Sequence, residues 1–218
     1  MKVDLHVHTI YSPDCLTAPE GVLSWARRRG LGAVAITDHN EIAGALALCE
    51  IADLPIIVGE EVTTRQGEVI GLFIHERIPA GLSAVETAQH IREQGGLVYL
   101  PHPFDRLRSS ALGAAALPDI LPFVDAVEGL NARVLLPQDN ARAIAWAAQQ
   151  GLPLGAGSDA HHKREIGRAY VDMAPFGDAA SFMESLRGGC LGGGISSPLV
   201  HFYSSWARFY KHRPLVQR

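Results

Sequence analysis

Short apolar runs alternate along the chain with longer stretches whose apolar positions recur at helical spacing. Lys2 to His8 reads as a strand. Ala18 to Arg29 reads as a helix, with Thr17 as its N-cap, Pro19 in the first turn and Gly30 as the stop. Leu31 to Thr37 is a buried-type strand, followed by a small-residue helix from Ile42 to Cys49. Pro55 to Thr63 and Glu68 to Ile74 read as strands around a tight turn at Arg65-Gln66-Gly67. A helix over Ser83 to Gln94 ends at Gly95-Gly96, and a strand from Leu97 to Leu100 runs into Pro101-His102-Pro103. Ala111 to Leu117 reads as a short helix in a connecting loop. A strand at Val124 to Leu130 precedes a helix at Gln138 to Gln150, stopped by Gly151. Strands at Leu152 to Ala156 and Arg168 to Met173 and a helix at Asp178 to Arg187 follow. Strands alternating with helices predict βα units around a parallel sheet, in one domain.

Composition narrows the class of protein. Hydrophobic residues make up 47% and charged residues 19% of 218, enough apolar content for a sizeable core and too much for a disordered chain. Nineteen basic against 23 acidic side chains leave a net charge of -4, which argues against a general nucleic-acid coat. The start, MKVDLHVH, has no apolar signal-peptide core, and no apolar run reaches the ~18 residues that span a bilayer. The three cysteines lack CxxC spacing and read as reduced thiols. A cytoplasmic protein with no membrane contact is expected.

The unusual feature is ten histidines. Asp4, His6 and His8 alternate along the first strand, so the three are expected to share one face. Two imidazoles there can bind one metal ion, with Asp4 placed to orient a ring; a half-exposed polar strand is the competing reading. Thr37-Asp38-His39, Pro101-His102-Pro103 and Gly157-Ser158-Asp159-Ala160-His161 each follow a strand. In a βα barrel such strand ends converge on one mouth. Glu61 lies within the apolar strand Ile56 to Val62, where an unpaired carboxylate is costly and a metal pair would satisfy it. Glu68 begins another apolar strand. Asp14 either forms the turn after Pro13 or reaches back to the mouth.

DLHVHTIYSPD, AITDHN, GEEVTT, PHPF and GSDAH occur in the order found in the PHP family, named from polymerase and histidinol phosphatase, which the chain resembles from Met1 to about Gly189. It looks most like the short, stand-alone phosphoesterases of that family. The resemblance implies an α/β fold, a distorted TIM-like (βα)7 barrel of the PHP type, with a trinuclear metal centre at its mouth. His6, His8, Glu61 and Asp159 would hold the first ion. Glu61 would bridge to a second, held also by His102, and Asp14, His39 and His161 would hold the third. Many relatives carry histidine where this chain has Glu68, which is assigned as a second-ion ligand with His75 as competitor. A further carboxylate tilts the site toward manganese or iron relative to zinc. The tail from Ser196 to Arg218 is expected to pack on the barrel or at a subunit contact.

The activity implied is hydrolysis of a phosphomonoester, a small metabolite or a nucleotide, by water activated at three divalent ions that Glu61, Asp159 and His102 help to hold. Arg133, Arg168, Asn131 and His162 are candidate substrate contacts, and Lys163 a candidate rim residue. Three alternatives stand beside this: trimming of short RNA or DNA ends, hydrolysis of an amide or other carbonyl, and a non-catalytic binding module. Specificity is expected in the loops Phe104 to Leu117 and Leu130 to Pro137.

Overall fold

The computed structural model describes residues 1–211. Chain order is β1 (Lys2–Val7), α1 (Pro19–Arg29), β2 (Leu31–Ile36), α2 (Ala43–Ile51), β3 (Ile56–Thr64), β4 (Gly67–Leu72), α3 (Ala84–Glu93), β5 (Leu97–Leu100) and α4 (Leu117–Ile120). It continues with β6 (Ala126–Asn131), α5 (Pro137–Gln150), β7 (Leu154–Gly157), β8 (Ala169–Asp172), α6 (Ala179–Arg187), β9 (Cys190–Gly193) and α7 (Val200–Lys211). The sheet order is β7-β6-β5-β4-β3-β2-β1-β8-β9. Strands β1, β2 and β3 are mutually parallel, as are β5, β6 and β7. Between the two sets β4 runs antiparallel to both neighbours, which is the distortion of the barrel. The His8 amide donates to the Ala160 carbonyl at 3.0 Å, so the segment after β7 meets the end of β1 and the barrel is nearly closed. The antiparallel pair β8 and β9 extends the sheet beyond β1.

The two faces of the strands explain the core. Leu5, Ala33, Ala35, Ile57, Ile70, Tyr99 and Ala156 fill the barrel interior. Val34 and Ile36 pack outward on Val22, Leu23 and Ala26 of α1 and Leu48 of α2. Val98, Leu100 and Val127 pack outward on Ala88, Ile91, Ala143 and Ala147 of α3 and α5. Helix ends follow local chemistry. Ser83 and Glu86 form a reciprocal capping box at α3, a device worth about 1 kcal/mol. Gly30 closes α1 at φ 66°, the left-handed conformation that glycine adopts without strain.

The structure departs from expectation at several boundaries. Helix α1 is capped at Ala18 with no side-chain bond, because Pro19 fixes the first turn while buried Thr17 gives its carbonyl to Ile10. Gly67 belongs to β4, paired with Thr64, so the hairpin turn is shorter than read. Strand β4 stops at Leu72 because Phe73 turns to φ 58°. The stretch Ala111 to Leu117 is turns rather than helix, interrupted by Gly113, and helix begins only at Leu117 with a proline in its first turn. Strand β9 was not anticipated, since Cys-Leu-Gly-Gly has little strand propensity. Of the C-terminal tail, residues up to Lys211 are described; they form α7, and His212 to Arg218 lie outside the described residues. No helix among the described residues is long and apolar enough to cross a membrane.

Candidate metal centre

Strand ends deliver the expected side chains to one place. His6 and His8 come from the end of β1, His39 follows β2, Glu61 lies on β3 and Glu68 on β4. His102 follows β5, Asp159 and His161 follow β7, and Asp14 comes from the loop before α1. His6 Nε2 and His8 Nε2 are 3.1 Å apart and lie 3.4 and 3.3 Å from Glu61 Oε2. Asp159 Oδ1 faces the same two nitrogens at 3.7 and 3.5 Å. On the other side of Glu61, Oε1 is 3.1 Å from His102 Nε2, which is 3.8 Å from Glu68 Oε2. Asp14 Oδ1 is 3.3 Å from His161 Nε2 and 3.8 Å from His39 Nε2. His75, the competitor of Glu68, is exposed three residues beyond the end of β4 and is tied through its amide to Gln94.

Neighbouring groups fix which ring nitrogen faces the cluster. His6 Nδ1 donates to Glu128 Oε1 at 3.1 Å, leaving Nε2 free as a ligand. Ser12 Oγ donates to Asp38 Oδ1 at 2.6 Å, so its contact with His8 Nδ1 at 3.0 Å is one in which the ring donates. His161 Nδ1 donates to the Asp159 carbonyl at 2.9 Å, which turns Nε2 toward Asp14. Asp4, the residue expected to orient a ring, does not do so. Its carboxylate accepts from the amide and hydroxyl of Ser158 and from the Gly167 amide. The cause is a bulge: Asp4 pairs with Val34 and Val7 with Ile36, so three steps of β1 oppose two of β2. Asp4 therefore faces outward while Leu5 and His6 both turn inward, and Glu128 takes the orienting role.

The donor set fits divalent cations. Glu61 Oε2, Glu68 Oε2, Asp159 Oδ1 and Asp14 Oδ1 are buried without a hydrogen-bond partner, and each is the oxygen aimed into the cluster. Glu128 shows the contrast, since both its oxygens are used, Oε2 by the His102 amide at 2.8 Å and Asn131 Nδ2 at 2.9 Å. Four unpartnered carboxylate oxygens facing five imidazoles would be strongly unfavourable unless cations complete them. The charges strain against one another accordingly. Burial disfavours the charged form of Glu61 and Asp159, but His6 with His39, and Arg108 with His6, hold them well below the carboxylate range. Burial would lower His6; Glu61, Glu128 and Asp159 outweigh it and raise it. Glu68 is pushed up to about 8 by burial and by the Glu61 charge. His161 is pushed down to about 3 by burial, His8 and Arg133.

Backbone strain is concentrated at the same place. His102 and Asp159 have φ 30° and 52°, conformations that cost non-glycine residues roughly 1 kcal/mol or more and cluster at functional sites. Gly157 is equally constrained: a Cβ there would lie 2.2 Å from His6 Cβ and 2.5 Å from Glu128 Oε1.

The candidate substrate contacts divide. Asn131 is buried and donates to both Glu128 Oε2 and Asp159 Oδ2, bracing the centre. Arg133 is buried, donates to the Asp159 carbonyl and to Ser204, and lines the mouth. His162 lies outside the cluster, stacked on Tyr203 of α7 with centroids 4.6 Å apart, and Lys163 is exposed beside it. Arg168 points away. Ala169 and Val171 are buried, so strand alternation turns Arg168 outward with Tyr170, where it bonds the Ile195 carbonyl. Three residues were not anticipated. Arg108 donates to Asp159 Oδ2 at 2.5 Å and to His102 Nε2 at 3.2 Å. Arg208 of α7 donates to Asp14 Oδ2 at 2.8 Å. Glu128 had a legible signal, a carboxylate inside an apolar strand; the two arginines had none. Together Arg108, Arg133 and Arg208 line a depression of about 380 Å³ over Asp14, His39 and Glu68.

Residues 4–116 match the family described as PHP domain, and residues 137–190 the one described as PHP-associated. An uncharacterized protein of Methanocaldococcus jannaschii is 40% identical over 177 residues, 80% of this chain and 71% of that one. A two-domain protein from Bacteroides vulgatus, described as containing a predicted PHP-like metal-dependent phosphoesterase, superposes with TM-score 0.71 at 19% identity, covering 95% of this chain and 69% of that one. The lesion-specific endonuclease EndoQ from Pyrococcus furiosus superposes with TM-score 0.62 at 19% identity, covering 87% and 57%. The two structural likenesses establish a shared fold.

Proposed function

Because the chain belongs to the PHP domain family, we propose that its histidine–carboxylate centre is the active site of a metal-dependent phosphoesterase acting on a phosphomonoester. The supporting observation is the set of four unpartnered carboxylate oxygens that face five imidazoles beneath an arginine-lined mouth. His6, His8, Glu61 and Asp159 would hold one ion, Glu61, Glu68 and His102 a second, and Asp14, His39 and His161 a third. Two of the three groups contain two carboxylates each, a hard donor set that favours manganese or iron. Such ions supply a lowered pKa for water and neutralise phosphoryl charge.

The protein's own groups do the rest. Glu128, Ser12 and the Asp159 carbonyl hold three imidazoles in the tautomer that presents Nε2. Asn131 and Arg108 grip Asp159 Oδ2, which leaves Oδ1 aimed inward. Arg108 lines the mouth and keeps 18% of its side chain exposed there, through which its guanidinium can take a phosphoryl oxygen. Buried Arg133 adds positive charge to the same wall. Ser12, the serine beside the His8 ring, gives its hydroxyl proton to Asp38 and lies on the side of the ring away from Nε2, so activated water suits the arrangement.

The test is phosphate release from a panel of esters by protein stripped of metal and reloaded with manganese, iron(II) or zinc. Release that tracks metal content supports the reading. Protein that carries metal yet is inert to every ester contradicts it.

A further inference from the structure

Helix α7 lies beyond residue 190, outside both matched stretches, and its polar side faces the barrel. His201 Nε2 donates to the Arg133 carbonyl at 3.1 Å, and Arg133 donates to Ser204 at 2.8 Å. Arg208 donates to Asp14, and Lys211 to the Ser12 carbonyl at 2.6 Å. The aromatic side is left outward, with Phe202 71% and Trp206 56% exposed and Tyr203, Phe209 and Tyr210 about half exposed. A helix laid on a protein normally buries its apolar side and exposes the polar one. Of the thirteen large hydrophobic side chains exposed among the described residues, six lie between Leu199 and Tyr210. So concentrated an apolar patch marks an interaction surface.

The spacing of the aromatic residues selects what fits there. Phe202 and Tyr203 stand four and three residues before Trp206, and Phe209 and Tyr210 stand three and four after it. Steps of three and four keep all five on one stripe of the helix. A half-turn about an axis through Trp206, perpendicular to the helix, therefore exchanges position 202 with 210 and 203 with 209. Aromatic falls on aromatic at each exchange, which is the self-complementarity that a two-fold contact between identical chains requires. The inward residues His201, Ser204, Arg208 and Lys211 occupy other positions, so no charged side chain belongs to the stripe. Trp206 already stacks on Tyr210 with centroids 5.5 Å apart, which lowers the cost of ordering the surface on contact.

We propose that α7 pairs antiparallel with the α7 of a second copy, with Trp206 on the two-fold axis. Phe202 and Tyr203 of each chain then pack against positions 210 and 209 of the other. An aromatic side chain fully covered buries about 150–250 Å², so five at about half exposure offer roughly 500–600 Å² per copy. The pair would bury about 1,100 Å² in total, just above the ~1,000 Å² expected of a specific interface. A lipid surface is the poorer match, because a membrane-lying helix turns its basic residues to the headgroups, whereas Arg208 and Lys211 are bound to the barrel. Since the inner side of the same helix rests on Asp14 and Arg133, pairing turns the two metal-centre mouths toward one another across the seam.

Sedimentation and crosslinking test it. The wild type should sediment at micromolar concentration with twice the 23.5 kDa of one chain. Trp206→Glu places two like charges on the axis and should raise the dissociation constant about a hundredfold or more, with an unchanged circular dichroism spectrum because the residue faces outward. Register is read by oxidation in a Cys49→Ser, Cys190→Ser background. Trp206→Cys should form a disulfide with its own copy. Phe202→Cys should not, because an antiparallel pair sets its two copies about 12 Å apart along the axis, beyond the ~7 Å reach of a disulfide. Phe202→Cys mixed with Tyr210→Cys should crosslink. A wild type that stays monomeric at every concentration overturns the proposal, whether or not it binds anionic vesicles. A dimer that survives Trp206→Glu assigns pairing to another surface, and self-crosslinking of Phe202→Cys assigns a parallel seam; either result also overturns it.

Discussion

Replacing Glu61 by glutamine probes the centre at its most connected point. The side chain keeps its shape, so the fully buried site need not repack. What changes is charge and donor capacity. Glu61 Oε2 lies 3.2 to 3.4 Å from ring nitrogens of His39, His8 and His6, and Oε1 lies 3.1 Å from His102. It is therefore shared by two of the proposed ion groups, and its loss should weaken both. Metal at a thousandfold excess over Kd stabilises a fold by about 4 kcal/mol. About 1 kcal/mol moves the Tm of a chain of this size by ~2–4 °C. Loading the wild type should then raise Tm by roughly 8–16 °C over the chelated protein. A hundredfold weaker affinity removes about 2.7 kcal/mol of that gain, so the variant should show less than half the shift. The assay is a thermal melt of each protein, chelated and metal-loaded, paired with elemental analysis. The wild type should carry at least one more ion per chain than the variant. Equal metal content and an equal metal-dependent shift in Glu61→Gln would refute the assignment of Glu61 as a bridging ligand.

Other consequences are as direct. Glu60, on the outward side of β3, is fully buried, accepts from the Ile78 amide and is raised to about 7 by burial. The native state therefore holds its proton while the unfolded chain releases it near 4.5, so stability relative to Glu60→Gln should fall from pH 4.5 to 7 and level off above. The loss is about 3 kcal/mol at most, and a flat difference in urea midpoints across that range would contradict it. Arg108→Ala should lower kcat/KM on a phosphoester about a hundredfold even at saturating metal, where Asn131 still holds Asp159 Oδ2; unchanged kinetics would remove Arg108 from phosphate binding. Gly157→Ala forces a carbon to 2.2 Å from His6 Cβ, so folded protein should lose metal and several kcal/mol of stability, and a variant with native metal content and Tm would show that the site can yield.

What the sequence made legible, and what it hid, follows the range of each signal. His6 and His8 were readable because strand period fixes their common direction, and His39, His102, Asp159 and His161 because each follows a strand. The same period misplaced Asp4, because a bulge in β1 breaks the alternation and no local pattern announces it. The alternation does hold at β8, where buried Ala169 and Val171 turn Arg168 outward. Arg108 and Arg208 reach the centre from a turn-rich loop and from a helix 194 residues away from Asp14. Their role depends on tertiary closure, which neither spacing nor composition carries. Helix α7 was legible as aromatic and basic; which side would face the barrel was not, because an amphipathic pattern does not say which face is inward when the site beneath is itself charged.

The occupant of the centre decides whether these residues form a metal site. Crystals grown with manganese and inorganic phosphate, measured for anomalous scattering, should show ions among His6, His8, Glu61, His102 and Asp159, with the oxyanion held on the Arg108 side of the mouth. A map with no ion at these residues, in protein shown to be folded and exposed to excess manganese, would contradict it.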